Sequence, residues 1–341
     1  MTANRPHERP IDDPAAWESA RIGGKEGLMH RIGPEHREAF DELLARTRHL
    51  PTVEIERADF DHPAVNDLMA AVRDELGHGH GAVIVSGLDA ARVELEDLER
   101  IYWGLGTHLG RAMPQSARGD RLGHVRKTVD NPTGRGYLMD IELGPHSDFH
   151  EILSLAGVRS AAEGGISGLV SGLAVHNAIR ALRPDLLPAL YEGFYHSNGP
   201  DRPLSAEKVP IFAETDGVLS CFFMPMLWTV AAVQMGVELP EEFAEALDCF
   251  TQQATRPELQ ASFVLEPGEM MFWNNFVCLH SRSAFRDTPE QTRLLLRLWI
   301  NPHERRPVPA AFLEQARLLD EAHERGETGA DYSAALSARR T

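Results

Sequence analysis

The chain has 341 residues, of which 43% are hydrophobic and 25% charged, and its formal net charge is −17. This length and composition allow a large hydrophobic core without disulfides, and the length is within reach of one large all-β or α/β domain with insertions. The acidic excess, with no long basic run, argues against nucleic acid or an anionic membrane surface as a partner.

The beginning of the chain is polar and rich in proline, so we expect residues 1–30 to form a partly disordered arm and residues 31–341 a single domain. No apolar segment resembles a signal peptide or reaches membrane-spanning length. The three cysteines, Cys221, Cys249 and Cys278, form no CxxC pair. We therefore expect a reduced, cytoplasmic protein, and a homo-oligomer is compatible with the sequence.

The first half of the chain predicts helices around one short strand. HREAFDELLARTRHL and HPAVNDLMAAVRDEL are amphipathic, with apolar residues at helical spacing from Val65 to Leu76. GHGHGAVIVSGL then predicts a glycine turn and a buried strand over 82–85. His78 and His80 lie between glycines, and we interpret them as part of this turn and not as metal ligands. LEDLERIYWGLGTHLG predicts a further helix that ends at glycine.

From residue 137 onwards short β-like runs dominate. Two helical inserts, AVHNAIRALRPDLLPALYEGF and PEEFAEALDCFTQQA, interrupt them, and a helix with a frayed end follows Pro309. We predict a mainly β protein with helical inserts (α+β), built as a sandwich, barrel or jelly roll. The strand-like runs are YLMDIEL, HEILSLAGV, GGISGLVSG, VPIFAE, GVLSCFF, QASFVLE, MMFWNNFVCLH and RLLLRLWIN.

The stretch GPHSDFHEILSL contains two histidines and an aspartate within five positions. A helix would place His146 and His150 on one face, as in zinc peptidases, but Ser147 stands where their catalytic glutamate should be. An extended chain would instead place His146 and Asp148 on one side. Two histidines and one carboxylate form the facial triad of non-haem Fe(II) oxygenases, so one further histidine would complete a metal site.

A candidate third ligand, His280, ends an apolar run that follows the turn at Pro267. The next run, RLLLRLWI, alternates so that Arg293, Arg297 and Trp299 share one face. A strand this apolar is expected to be buried on both faces, and a buried guanidinium needs an anion. That anion is an internal carboxylate or a bound carboxylate ligand, for which arginine is well shaped.

With these motifs in place, the sequence resembles the Fe(II)/2-oxoglutarate-dependent dioxygenases of the taurine dioxygenase (TauD/TfdA-like) family, over roughly residues 70 to 303. The resemblance is carried by H-x-D at 146–148, GGIS at 164–167, PGE before His280 and R-x-x-x-R at 293–297. It implies a double-stranded β-helix, a distorted jelly roll, as the core of the fold. It also implies that Fe(II), 2-oxoglutarate and O2 act on a small-molecule substrate.

Carried over by position, the resemblance assigns His146, Asp148 and His280 as iron ligands and catalytic centre. Arg293 and Ser167 would bind the distal carboxylate of 2-oxoglutarate. Three further residues are candidate substrate contacts. Arg297 matches the position that holds an anionic substrate group, Gln115 precedes the H-x-D motif, and His150 shares the strand parity of the ligands, although a buried structural role is equally open to it.

The resemblance predicts oxidation of an unactivated C–H bond, with release of succinate and CO2. Halogenating relatives lack the carboxylate that Asp148 provides, so hydroxylation is expected, while desaturation, cyclisation and demethylation stay open. Two other classes compete with this prediction. One is a jelly-roll protein that binds a metal or a carboxylate without turnover. The other is a zinc-dependent hydrolase that uses the same ligands.

Overall fold

The structure is a computed structural model that describes residues 4–115, 119–128, 138–199 and 202–327. Its helices in these ranges are α1 (Ser19–Ile22), α2 (Pro34–Thr47), α3 (Pro63–His78), α4 (Leu95–Leu109), α5 (Gly172–Leu182), α6 (Leu187–Glu192), α7 (Pro225–Met235), α8 (Glu241–Ala254) and α9 (Ala310–Glu324). Its strands there are β1 (Met29–Arg31), β2 (Ala82–Ser86), β3 (Gly110–Ala112), β4 (Gly123–Val125), β5 (Leu143–His146), β6 (Ile152–Arg159), β7 (Glu163–Gly164), β8 (Ser167–Ser171), β9 (Phe212–Thr215), β10 (Val218–Cys221), β11 (Gln260–Phe263), β12 (Met270–Asn274), β13 (Cys278–Arg282), β14 (Phe285–Arg286) and β15 (Leu294–Pro302).

Two sheets dominate the described part of the chain. The larger has the order β1-β2-β12-β6-β15-β3, with β4 also paired to β15, and the smaller has the order β11-β8-β13-β5. Apart from the parallel pair β1–β2, their neighbouring strands are antiparallel. Trp273 and Trp299 of the larger sheet share one core cluster with Leu169 of the smaller, and the Trp273 ring lies 5.0 Å from that of His280 on the smaller. The inner faces of the two sheets therefore pack together, and this confirms the predicted jelly-roll core with helical inserts.

The outer face of the larger sheet packs against the N-terminal helices. Leu296, Leu298 and Phe272 lie in a second core cluster together with Phe40 of α2 and Tyr102 of α4. The alternation predicted for β15 is confirmed at these positions, since Leu296 and Leu298 face the helices while Trp299 faces the smaller sheet. Burial on both faces explains why the strand is apolar almost throughout.

The N-terminal segment is more ordered than its composition predicted. We expected a partly disordered arm over residues 1–30, but Trp17 and Leu28 are buried in the cluster between the sheets. β1 also adds to the edge of the larger sheet through β2. The predicted boundary at residue 31 and the single domain after it remain predictions. The frayed end expected after α9 falls largely on residues 328–341, outside the described part of the chain.

One strand expected from the sequence is two strands in the structure. The run over 270–280 was predicted to be a single strand that ends at the candidate ligand. Instead β12 belongs to the larger sheet and β13 to the smaller. The Asn274 side chain accepts a hydrogen bond from the Phe276 amide, and the Val277 amide donates to the Asn274 carbonyl. This asparagine turn carries the chain from one sheet to the other.

A strand was also expected over 137–143, but β5 begins only at Leu143. In the segment before it, the Arg282 guanidinium donates to the carbonyls of Met139 and Ile141, at 2.8 and 2.6 Å. A side chain from β13 thus takes the place of a strand partner for these two carbonyls. The irregular segment lies against the strand that carries the third candidate ligand.

Helix α7 was not predicted. Its sequence, PMLWTVAAVQM, is apolar on all sides, and Leu227, Trp228, Val230 and Ala231 are fully buried. A helix without a polar face gives no amphipathic period to recognise. Within the described residues, no helix is at once long enough and apolar enough to cross a membrane.

Candidate iron centre

The first two candidate ligands meet where β5 ends. His146 is the last residue of the strand, and Asp148 lies in the turn that follows. The Asn275 side chain holds this turn, because its Oδ1 accepts from the Asp148 amide at 3.0 Å and its Nδ2 donates to the Asp148 carbonyl. The Ser147 amide donates to the Phe223 carbonyl at 2.7 Å. Hydrogen bonds from two directions therefore fix the turn that presents the carboxylate.

The third candidate ligand comes from the adjacent strand, since His280 on β13 pairs directly with His146 on β5. The Nε2 atom of His146 lies 3.9 Å from Asp148 Oδ1, and the Nε2 atom of His280 lies 3.8 Å from Asp148 Oδ2. One ligand atom from each residue falls within 4.8 Å of the other two. The fold therefore brings together the three side chains that the sequence selected.

The protonation of these groups suits a divalent metal ion. The Nδ1–H of His146 donates to the Gly144 carbonyl at 2.8 Å, which leaves Nε2 with its lone pair towards the cluster. Burial lowers the pKa of His280 to about 3, so its ring is neutral. Burial acts to raise the pKa of Asp148, but His280, His146, Arg297 and a hydrogen bond from Trp299 outweigh it and the net direction is downward. Two imidazoles and one carboxylate are a donor set that fits Fe(II).

Trp299 supports the carboxylate and was assigned no role by the sequence. Its indole Nε1–H donates to Asp148 Oδ2 at 3.2 Å. Its position on the inner face of β15, in alternation with Arg297, was the signal that could have identified it. Hydrogen bonds to a ligating carboxylate orient it and tune the metal, so Trp299 belongs to the support of this centre.

His150 is not part of the cluster of three candidate ligands. Its Nδ1–H donates to Asn301 Oδ1 at 3.1 Å, its Nε2 lies 3.6 Å from Asp320 Oδ1 on α9, and its ring lies 5.3 Å from that of Trp299. The side chain is only 1% exposed. The argument from strand parity is wrong because β5 stops at His146, and residues 147–150 do not continue its alternation.

Arg293 is the residue directly before β15 and is buried, at the opposite end of this strand from Trp299. Its side chain approaches Gly165 so closely that a Cβ there would lie 3.0 Å from Nε, and its guanidinium lies 5.3 Å from the centre of the Phe285 ring. Burial lowers its pKa to about 10. The Nη1 atom is buried without a hydrogen-bond partner among the described residues. Ser167, also buried, begins β8 two residues after Gly165.

Arg297 lies on β15 between Arg293 and Trp299, and it is hydrogen-bonded to Gln115. Arg297 Nε donates to Gln115 Oε1 at 2.6 Å, and Gln115 Nε2 donates to the Arg297 carbonyl at 2.7 Å. The guanidinium lies 4.8 Å from the centre of the Trp299 ring and helps to lower the pKa of Asp148. Gln115 is 1% exposed. The structure shows Gln115 in contact with Arg297, and its predicted role as a substrate contact stays a prediction.

Comparison with known proteins identifies the chain. The model of the family described as taurine catabolism dioxygenase TauD, TfdA family matches residues 32–299. The chain belongs to this family. Among curated TauD/TfdA relatives, it is 28% identical over 319 residues to the FR-33289 synthase of Streptomyces rubellomurinus, covering 89% of this chain and 94% of that one. It is 27% identical over 256 residues to the taurine hydroxylase-like protein SAT17 of Stachybotrys chartarum, covering 70% and 66%.

Solved structures agree with the TauD/TfdA fold. An asparagine oxygenase in complex with Fe(II), 2S,3S-3-hydroxyasparagine and succinate superimposes with a TM-score of 0.64 at 16% identity, covering 80% of this chain and 93% of that one. The non-heme iron oxygenase OrfP in complex with Fe and alpha-ketoglutaric acid gives a TM-score of 0.60 at 14% identity, covering 80% and 93%. Because the chain belongs to the TauD/TfdA family, the protein is a dioxygenase of the Fe(II)/2-oxoglutarate type.

Proposed function

We propose that His146, Asp148 and His280 hold Fe(II) and that the protein hydroxylates an unactivated C–H bond of a small molecule. The observation that carries this proposal is the convergence of one ligand atom from each of the three residues within 4.8 Å. A facial triad occupies one side of an octahedral ion and leaves the other side for co-substrate and oxygen. Iron and 2-oxoglutarate, when bound, supply the oxidising chemistry, with release of succinate and CO2.

The protein's own residues prepare the site for that chemistry. Asn275 and Trp299 fix the backbone and the carboxylate of Asp148, so the ligand needs little reorganisation when metal binds. The Trp273 ring lies 5.0 Å from the ring of His280, so an apolar side chain covers one side of the triad and limits the access of bulk water. With Asp148 present as a ligand, hydroxylation is favoured over halogenation.

Arg293 and Ser167 are proposed to bind the distal carboxylate of 2-oxoglutarate. A buried guanidinium whose Nη1 finds no partner among the described residues requires an anion, and a carboxylate accepts two parallel N–H bonds from it. The family often has threonine in place of Ser167, and serine keeps the hydroxyl that donates to the same carboxylate. This assignment places the co-substrate along the inner face of β15.

The substrate is proposed to be a small, carboxylate-bearing molecule, for example an amino-acid derivative or another natural product. Arg297 lies beside the triad, and Gln115 fixes the direction of its guanidinium. The names of similar proteins point the same way, because the solved structures hold hydroxylated asparagine and arginine. His150 is not proposed as a contact, since it lies behind Trp299.

The test is succinate formation from 2-oxoglutarate by the iron-loaded protein in air, measured across a panel of amino acids and other small carboxylates. A substrate should stimulate succinate release, and its product should gain one oxygen atom by mass spectrometry. A product that loses two hydrogens instead would indicate desaturation. If iron stays bound but no compound in the panel stimulates oxygen-dependent decarboxylation of 2-oxoglutarate, the proposed function is contradicted.

The remaining expectations stay predictions. We propose a cytoplasmic location, supported by three cysteines that are all buried and unpaired, as expected of a reducing compartment. The absence of nucleic-acid and membrane partners rests on the acidic composition. A homo-oligomer is compatible with the sequence, and size-exclusion chromatography with light scattering would measure the state.

A further inference from the structure

A cationic cavity opens at the end of the larger sheet where the buried Arg293 lies. Its volume is about 490 Å³, and Arg293 forms part of its wall. Three further cations line it, against a single carboxylate. The full lining is Arg126, Lys127, Thr128, Arg159, Asp287, Thr292 and Arg293. Such a cluster is unusual on a chain with a net charge of −17.

Strand register explains why the cations meet there. β15 pairs with β6 on one side, where Leu294 lies opposite Arg159, and with β4 on the other, where Leu295 lies opposite Val125. Two residues further along, the chain of β4 reaches Lys127. β6 therefore ends in the basic residue Arg159, and two basic residues, Arg126 and Lys127, follow directly after β4. Arg293, the residue before β15, lines the same cavity as these three.

The positive charge of this cavity is only partly compensated. Lys127 forms an ion pair with Asp140 at 2.6 Å, and Asp287 Oδ1 accepts from the backbone amide of Arg293 at 2.9 Å. Arg159 donates to the Thr292 carbonyl at 3.1 Å, which satisfies part of its guanidinium without neutralising it. Arg126 makes no ion pair with any residue that the structure describes.

We propose that this cavity is the entrance for 2-oxoglutarate and the exit for succinate, and that Arg126 and Arg159 attract the dicarboxylate and pass it to Arg293. The inference rests on the proposed function, in which Arg293 binds the distal carboxylate. Both arginines are exposed and line the same cavity as Arg293, so an anion drawn to them arrives directly beside its binding residue.

The physical effect is on the rate of association. A dianion approaching an acidic protein is repelled by its overall charge, whereas a local cluster of cations raises its concentration near the opening. Charges at the surface act over a Debye length, about 8 Å at physiological salt and about 3 Å at 1 M. The contribution of Arg126 and Arg159 should therefore appear in the association rate and disappear at high salt.

The experiment mixes 2-oxoglutarate with the Fe(II)-loaded protein under anaerobic conditions and follows the charge-transfer absorbance by stopped flow. The variants are Arg126→Gln, Arg159→Gln and the double variant. The control for each single variant is Arg21→Gln, which removes an exposed arginine on α1 and changes the net charge by the same one unit. The double variant should associate about 10-fold more slowly at low salt, a size typical of electrostatic steering. Arg126→Lys should restore the rate, and the dissociation rate should not change.

Association at the wild-type rate in the double variant would overturn the entrance, and so would a decrease in Arg21→Gln equal to that of the single variants. A change mainly in the dissociation rate would also overturn it, because the arginines would then hold the bound molecule. A slower rate that persists unchanged at about 1 M salt contradicts electrostatic attraction. Failure of the proposed function looks different, since the wild-type protein would then show no charge-transfer band with 2-oxoglutarate at all.

Discussion

The inner face of β15 carries polar side chains at both ends, but the protein satisfies the two ends to different degrees. At the metal end, Trp299 donates to Asp148, and Asn301 accepts from His150. At the co-substrate end, Arg293 is equally buried, yet its Nη1 finds no partner among the described residues. One strand thus combines a site that is organised in advance with a site that needs an anion.

Under the proposed function, this difference follows from what each end binds. A metal ion requires ligands that are fixed in direction before it arrives, and hydrogen bonds from Asn275 and Trp299 provide this. 2-Oxoglutarate binds and succinate leaves in every catalytic cycle. The residue that binds their carboxylate therefore needs a positive charge that no protein carboxylate already occupies. The predictions below test whether the two ends act as separately as this contrast implies.

The largest effect is expected at the metal end, for His280→Ala. It removes one of three ligands, so iron affinity should fall by more than about 100-fold, beyond the effect typical of residues outside the ligand set. Iron content after gel filtration measures this. His150→Asn is the matched control and should keep its iron, because His150 contacts Asn301 and not the triad. Loss of iron only in the His150 variant would reverse the ligand assignment.

The next effect is expected at the co-substrate end, for Arg293→Gln. Loss of two charge-assisted hydrogen bonds should raise the 2-oxoglutarate concentration needed for half-maximal turnover by about 100-fold, or roughly 3 kcal/mol. Iron binding should not change. Arg297→Gln should act instead on the requirement for the prime substrate. If Arg297→Gln raised the 2-oxoglutarate requirement more than Arg293→Gln, the two arginine roles would be exchanged.

A smaller effect is expected from Trp299→Phe, which keeps the ring but removes its hydrogen bond to Asp148. Iron affinity should fall about 10-fold, the lower limit for residues that support a ligand. The affinity for 2-oxoglutarate in the iron-saturated protein should stay near wild type. Titration with a competing chelator measures the first quantity. Unchanged iron affinity would show that the Asp148 carboxylate does not need this hydrogen bond in order to bind iron.

The smallest effect is expected from Ser167→Ala. It removes a single neutral hydrogen bond worth about 1 kcal/mol, so the 2-oxoglutarate requirement should rise roughly 5-fold. Ser167→Thr keeps the hydroxyl and should behave like the wild type. An alanine variant indistinguishable from wild type would leave Arg293 as the only residue of the pair that binds the distal carboxylate.

Where one periodic pattern dominates, the sequence was a reliable guide. The alternation in β15 predicted which residues face the helices and which face the smaller sheet. The H-x-D motif and the distal His280 were selected as a triad although 132 residues separate His280 from Asp148, and the register of β5 with β13 brings them together. These predictions succeeded because residue type and strand period constrain each other.

The errors have a common physical origin in the ends of strands. β5 stops at His146, so parity failed for His150. The run over 270–280 divides at an asparagine turn, so one expected strand serves two sheets. A linear pattern shows which residues are apolar but not where a hydrogen bond from elsewhere ends an element.

The sequence by itself determined the class of the site, because two imidazoles, one carboxylate and an inward arginine are chemically specific wherever the fold places them. Only the tertiary structure decided which neighbours serve these groups. In the structure, Trp299 and Asn275 are hydrogen-bonded to Asp148. His150 lies 3.6 Å from Asp320 of α9. Arg126 and Arg159 line the same cavity as Arg293. Those contacts join residues distant in the chain, and their geometry depends on strand register and turns that no local pattern encodes.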